Sequence, residues 1–546
     1  MSGKKAYGLN FILIFCIIFF ITGCEKKDVV TDKSKDATYT FKGVNEPGWK
    51  KNAGDKVTLD WYINFSWYTT TWGENLVSKE ISKETGVDVN FIVPTGNEME
   101  KLNSMIASDT LPDLVTLGWW DMQTQELTDK GLVYALNELA DKYDSYFYEV
   151  AEGQIVNWYK NTDGNLYCYP SSSVSPNDYK NNINIGSNQN FLVRKDIYEA
   201  IGSPDMTTPE GFIAACEKAM AYMPKVDNKP LIPVGSDEFT IHGCNSFDKY
   251  LQNFLSVPFE MNGEYYDRYT DPEYIRWLKT FRKLNEMGYL SNEIFIDKRM
   301  QLEEKMAEGR YFCLLYQGSD IQTPQKALYE KDPDKIYIAI DGPKNSKGED
   351  PTLPSTGING WTVTFISKNC ENPDRAINFL SYLISEHGQK MTYLGVEGVT
   401  YDSIDGKPVI KPEVFKLLNT DRKKFDEIYG ADNAYWMLQD NVMQSKWGIN
   451  SGEPMAQLKE WTYPYAAYMA QYDVVFENGT DLSNAYFQIQ KEWGKALPKL
   501  LLASSEKEFH VILEKFAKRR ADLGYEKILK ESTRQMNQSK KKLGLE

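Results

Sequence analysis

The chain has 546 residues and a formal charge of −15, with 25% of residues charged and 42% hydrophobic. That length accommodates two or three ordinary domains. So acidic a surface lacks the basic footprint that nucleic acid or another polyanion needs.

Lys4 and Lys5 precede an apolar run from Asn10 to Ile21, and the chain turns polar again at Glu25. A charged start, a short apolar stretch and a small residue before the cut make a secretory leader. At ~1.5 Å per residue the run is too short to cross a ~30 Å hydrocarbon core. Ile21-Thr22-Gly23-Cys24 resembles the bacterial lipobox, in which the Cys is acylated and becomes the first mature residue; an ordinary leader with an incidental Cys is the alternative. Lipid on Cys24 would hold the protein on the extracytoplasmic face of the cell membrane, with no other membrane segment. Residues 1–23 are read as the leader and 24–53, polar and aperiodic, as a flexible stalk. Cys16 leaves with the leader, and Cys168, Cys216, Cys244, Cys313 and Cys370 are spaced too widely for a CxxC motif. They read mainly as small buried side chains, with one incidental disulfide left open.

Val57, Leu59, Trp61 and Ile63 alternate as in a strand, and a helix carrying Leu76, Val77 and Ile81 stops at Gly86. Val87, Val89, Phe91 and Val93 alternate again; Leu102, Met105 and Ile106 mark a second helix, and 112–117 a third strand. This is a parallel-sheet unit, whose ligands bind beyond the carboxyl ends of the strands. Asn64-Phe65-Ser66-Trp67 and Gly118-Trp119-Trp120-Asp121 follow two of those ends. A second unit opens with the strand Phe191-Leu192-Val193 and a helix capped by Thr207 and Glu210. A helix opens at Asp271-Pro272, strands are expected at 312–316, 337–340 and 361–366, and a further helix starts at Asn372-Pro373. Beyond residue 400 the pattern is mostly helical, and the Lys540-Lys541-Lys542 tail reads as a solvated end.

Chemistry is scarce. The three His, at 242, 387 and 510, lie far apart, and no metalloprotease, nucleophile-elbow, phosphate-loop or dinucleotide motif occurs. No cofactor or metal is expected, the acidic stretch 332–350 reading as a solvated loop ahead of a cation site. Aromatic residues are 13% of the chain, led by 35 Tyr. Tyr and Trp pair an apolar face with a polar tip, as a pyranose does. Core packing accounts for many of them, but Trp67, Trp119 and Trp120 fall just past strand ends among Asn and Asp.

MIASDTLPDLV, GLVYALNELADKY, DGNLYCYP, NFLVRKDIYEAIGSPDMTTPEGF, EGRYFCLLYQG and the long string from Gly360 to Tyr401 resemble, in this order, the large lipoprotein members of the family 1 extracellular solute-binding proteins. These are carbohydrate-binding subunits of ABC importers with a maltose-binding-protein-like fold. The resemblance implies an α/β fold of two lobes with a hinge and a central cleft, the first lobe at 54–185 and 336–386, the second at 186–335 and 387–546. It implies ligand contacts from Asn64, Trp67, Trp119, Trp120, Asp121 and Trp361 on one wall. Tyr316 and Gln317 would face them, with one of Trp436 or Trp447, Trp447 preferred, as a further platform. It also implies a monomer without catalysis that passes an oligosaccharide to a membrane permease driven by ATPase subunits. The alternatives are a binding lipoprotein for peptides or another solute, a sugar sensor, and a lipoprotein glycoside hydrolase.

Overall fold

The computed structural model describes residues 46–181, 185–447, 453–477 and 479–545. The leader, Cys24 and the stalk as far as residue 45 lie outside them. The last part of the expected stalk is folded. Gly48–Lys51 is a helical turn, Trp49 is buried against Tyr382 with ring centroids 5.0 Å apart, and the Gly48 N–H donates to Asp144.

The strands that matter here are β1 (Val57–Ile63), β2 (Val87–Ile92), β3 (Leu114–Gly118), β4 (Cys168–Pro170), β5 (Gln189–Arg194), β6 (Ile232–Gly235), β7 (Tyr311–Gln317), β8 (Tyr337–Ala339), β9 (Leu353–Pro354), β10 (Thr362–Ile366) and β11 (Ala466–Ala467). The first lobe holds a five-stranded sheet in the order β2-β1-β3-β10-β4. β1 runs parallel to β2 and β3, and β10 antiparallel to β3 and β4. The helices between the parallel strands begin at Asn75 and Asn97, whose side chains accept from N–H groups of the first turn. The second lobe holds a four-stranded sheet in the order β8-β5-β7-β6, with β6 parallel to β7 and β5 antiparallel to β7 and β8.

The chain crosses between lobes at a small set of paired strands. Ser187 bridges Ser355, and β9 pairs with β11 in parallel, Leu353 against Ala466. Leu353 and Phe476 belong to the core of the second lobe, Ile358 and Ala470 to that of the first. This layout corrects the expected lobe boundaries. β8 completes the edge of the second sheet, so the return to the first lobe comes near residue 355 instead of 336. Met391, Val414, Leu418, Phe425 and Trp436 pack into the first core, because the helices after 386 cover the apolar face of Pro373–Ile384.

The C-terminal helix, Tyr525–Leu543, is no solvated end. Ile528 packs in the second core and Leu543 in the first; Lys540 pairs with Glu260, and Lys542 donates to the Trp158 carbonyl. The helix Pro209–Tyr222 is capped by Thr208, one residue later than expected, its hydroxyl accepting from Gly211 N–H. All five described cysteines are buried and free.

Candidate functional site

Both sheets present one edge to the crossings. In the first lobe that edge carries the carboxyl ends of β1, β3 and β4 and the start of β10, since Thr362 lies opposite Gly118 and Val363 opposite Pro170. In the second it carries the start of β5 and the ends of β6 and β7, with Gln189 opposite Gln317. The chain enters β5 directly from Ser187 and enters β10 soon after Ser355, so the two edges border the space between the lobes.

On the first wall the residues after β1 and β3 meet as the sequence suggests. The Trp67 and Trp361 rings stack 6.0 Å apart at 8°, and Trp436 lies 4.4 Å from Trp361 and 5.6 Å from Trp67. Phe65 supports all three at 5.5–5.6 Å. Trp67 remains 54% exposed and Trp120 47%, which leaves open indole faces on an otherwise packed cluster. Trp119 stands edge-on to Trp120 at 6.0 Å, and its backbone N–H donates to the Trp361 carbonyl at 3.4 Å. The Trp120 ring lies against Gly118, where a Cβ would come within 2.6 Å of it, so no other residue fits there without moving the ring.

Asn64 and Asp121 form the polar floor. Asn64 is buried and accepts from the Tyr62 hydroxyl at 2.9 Å, and Asp121 accepts from Gly118 N–H at 3.0 Å. Burial pushes the Asp121 carboxyl up to about 6, against the opposing hydrogen bonds from Gly118 and Asn64. Glu98 accepts from Ser66 N–H beside it.

The second wall is built differently. The Tyr316 ring is buried, at 1% exposure, so it offers no stacking face. Gln317 is half-buried, its amide donating to Asp320 at 3.2 Å and its carbonyl accepting from Asn188 at 2.9 Å. Trp447 sits against Tyr393, at 6.2 Å, and the Lys390 ammonium, at 5.7 Å, apart from the Trp67 cluster. Of the two tryptophans, Trp436 is the one that joins the Trp67 cluster, where it is buried. Sequence reasoning also missed Phe65 as a supporting ring, although it lies in the segment singled out.

The crossings carry their own polar link. Trp158 Nε1 and Tyr159 OH donate to Asn359, and Asn359 Nδ2 donates to Asp473 at 2.7 Å. Burial raises Asp473 to about 6. Among the described residues no three His, Cys, Asp or Glu gather as a metal set. In the acidic stretch, Lys344 sits between Asp341 and Asp350 at 3.3 and 2.9 Å.

Residues 77–415 match the family described as bacterial extracellular solute-binding protein. The chain belongs to that family. Among curated relatives, this solute-binding protein is 22% identical over 417 residues to the polygalacturonan/rhamnogalacturonan-binding protein YtcQ of Bacillus subtilis (strain 168), covering 72% of this chain and 77% of that one. Among solved structures it resembles the alginate-binding protein AlgQ2 without calcium ion, with a TM-score of 0.66 at 19% identity over 89% of this chain and 99% of that one. It resembles the S. pneumoniae ABC-transporter substrate-binding protein FusA in complex with kestose equally, TM-score 0.66 at 14% identity over 88% and 99%. At such identities the structures speak for the fold: two lobes of the periplasmic solute-binding kind. No described helix is long and apolar enough to cross a membrane.

Proposed function

We propose that this solute-binding protein captures an oligosaccharide between its lobes and hands it to an ABC permease, without covalent chemistry. The observation that carries the reading is the tryptophan cluster at the carboxyl edge of the first sheet, with the Trp67 and Trp120 faces open beside a buried Asn64 and a half-buried Asp121. Indoles stack on the C–H faces of a sugar ring, and amide and carboxylate groups take its hydroxyls. Relatives named for polygalacturonan, alginate and kestose support the substrate class. A ligand that touches both walls favours closure by its differential affinity for the closed form. Permease and ATPase subunits as partners, Cys24 as a lipid anchor on the extracytoplasmic face, and a monomeric state complete the proposal.

Tryptophan fluorescence titrated with plant and microbial oligosaccharides, and with short peptides as the contrast set, tests it. A saturable change with one glycan series is expected, together with a raised melting temperature, since a ligand at a hundredfold excess over Kd stabilises by about 2.7 kcal/mol. Silence with every glycan and a response to peptides would overturn the substrate class. Steady turnover of a chromogenic glycoside would overturn the absence of catalysis.

A further inference from the structure

Four polar side chains that the proposed function has not used meet at the cleft edge of the second lobe. β6 and β7 run parallel with Leu314 against Gly235, so the segments Ser236–Asp237 and Gln317–Asp320 leave the sheet side by side. Asp237 accepts from Asn245 Nδ2 at 2.9 Å and from Glu238 N–H at 2.7 Å. Asp320 accepts from Ser319 Oγ at 3.0 Å and Gln317 Nε2 at 3.2 Å, and lies 3.3 Å from Arg299. Tyr250 and Tyr316 complete the group. Their rings are 6% and 1% exposed, yet neither hydroxyl has a hydrogen-bond partner among the described residues. Burial, and after it the Asp237 and Asp320 carboxylates, hold both phenols well above the usual range, which places the hydroxyls in the field of those carboxylates.

Neither hydroxyl is among the buried atoms left without a partner, so each reaches solvent from a fixed ring and stands ready to exchange water for a ligand oxygen. Two O–H donors beside two carboxylate acceptors match the alternating donors and acceptors of vicinal sugar hydroxyls. They do not match a carboxylate. Arg299 is already engaged by Glu303 at 2.8 Å and by Asp320, and Lys298 by Glu238 at 2.5 Å. The charge of Lys249, next to Tyr250, acts on Asp248 and Asp473. The opposite wall adds Asp121 and Glu98. A uronate here would face like charge from both lobes, and juxtaposed like charges are costly where water is excluded.

We propose that Tyr250, Tyr316, Asp237 and Asp320 form a hydroxyl-reading subsite for a neutral sugar unit and that it selects against uronate-bearing chains. This rests on the carbohydrate reading above. It sets the chain apart from its relative named for polygalacturonan, whose repeating unit carries a carboxylate.

The test is calorimetric titration of the full chain with neutral galacto-, xylo- and fructo-oligosaccharides and with oligogalacturonides of matched length. A neutral series should bind at least tenfold more tightly than the oligogalacturonides. Tyr250→Phe and Tyr316→Phe should each weaken that ligand about tenfold, the worth of one buried hydrogen bond. Neither should shift the melting temperature, because the hydroxyl removed has no protein partner. Asp320→Asn should weaken the neutral ligand and narrow its advantage over the uronate. Oligogalacturonides binding as tightly as the neutral series, or neutral binding indifferent to both tyrosine variants, would overturn the subsite and leave the carbohydrate reading standing. No response to any glycan would overturn both.

Discussion

On the first lobe the ends of β1 and β3 deliver indoles: Trp67 and Trp120 are open, Trp67 leaning on Phe65, Trp361 and Trp436 and Trp120 on Trp119. On the second, the ends of β6 and β7 deliver Asp237 and Asp320, with tyrosine rings buried behind them. The same kind of strand end thus presents apolar area in one lobe and oriented polar atoms in the other. Area gives affinity with little regard for which hydroxyl points where, whereas fixed donors and acceptors discriminate strongly because a mismatch leaves them unpaired. A cleft so divided can hold a ring on one side and read it on the other.

The largest effect should come from the ring that ties the indole wall to its core. Trp436 is buried against Phe65, Tyr68 and Trp361 at 5.5, 5.7 and 4.4 Å. Trp436→Ala should cost about 3–5 kcal/mol of stability, read from urea unfolding. Retained stability would mean that the wall is held by Phe65 alone.

How far this was legible in the sequence differs between the walls in the same way. Alternation at Val57–Ile63 and Val87–Val93 gave both strands their faces, so the residue pattern alone places Asn64, Trp67 and Trp119–Asp121 at strand ends. β6 is four residues, Ile-Pro-Val-Gly, all buried; with no alternation it carries no strand signal, and Asp237 after it went unnoticed. Trp436 lies on a short helical turn whose place in the first core depends on the later crossings. β8 is legible as a strand, but its lobe is not, because nothing in three apolar residues says which sheet edge they complete. The family resemblance supplied the two-lobe plan, and its boundaries failed where pairing across the crossings decides them.

The half-buried acid of the indole wall makes the next prediction. Asp121 has a folded value of about 6, above its ordinary 3.8. Its contribution to stability is therefore fully present below pH 3.8 and is lost as pH rises through 6, because the folded state holds the proton that the unfolded state releases. The loss is about 3 kcal/mol at most, from about 1.36 kcal/mol per unit. Asp121→Asn should flatten the fall in melting temperature between pH 4 and 6.5, while Asp248 and Asp473, also near 6, keep the remainder. An unchanged slope would show that the carboxyl of Asp121 is not held in its protonated form.

Smaller, and confined to binding, is the open face. Trp67→Ala should lower oligosaccharide affinity by about 2 kcal/mol, roughly thirtyfold. Its melting temperature without ligand should stay near that of the parent, since the ring is 54% exposed. If ligand affinity is unaffected, the stacking surface lies at Trp120 and the role of Trp67 is to cover Trp361.

The smallest change asks whether the frame of the second lobe can be weakened without touching its wall. Thr208 caps the helix Pro209–Tyr222 through a 3.1 Å bond from Gly211 N–H, and the helix packs Phe212, Ala215, Cys216 and Ala219 into the core behind β5 and β7. Thr208→Ala should cost about 1 kcal/mol of stability. Oligosaccharide affinity should not move, because the polar atoms of the cleft edge are fixed by the ends of β6 and β7 and by Asn245 and Arg299, none of which the cap touches. Should affinity fall along with stability, the second wall would owe its geometry to the whole lobe, and the division between a stacking wall and a reading wall would hold only while that lobe stays rigid.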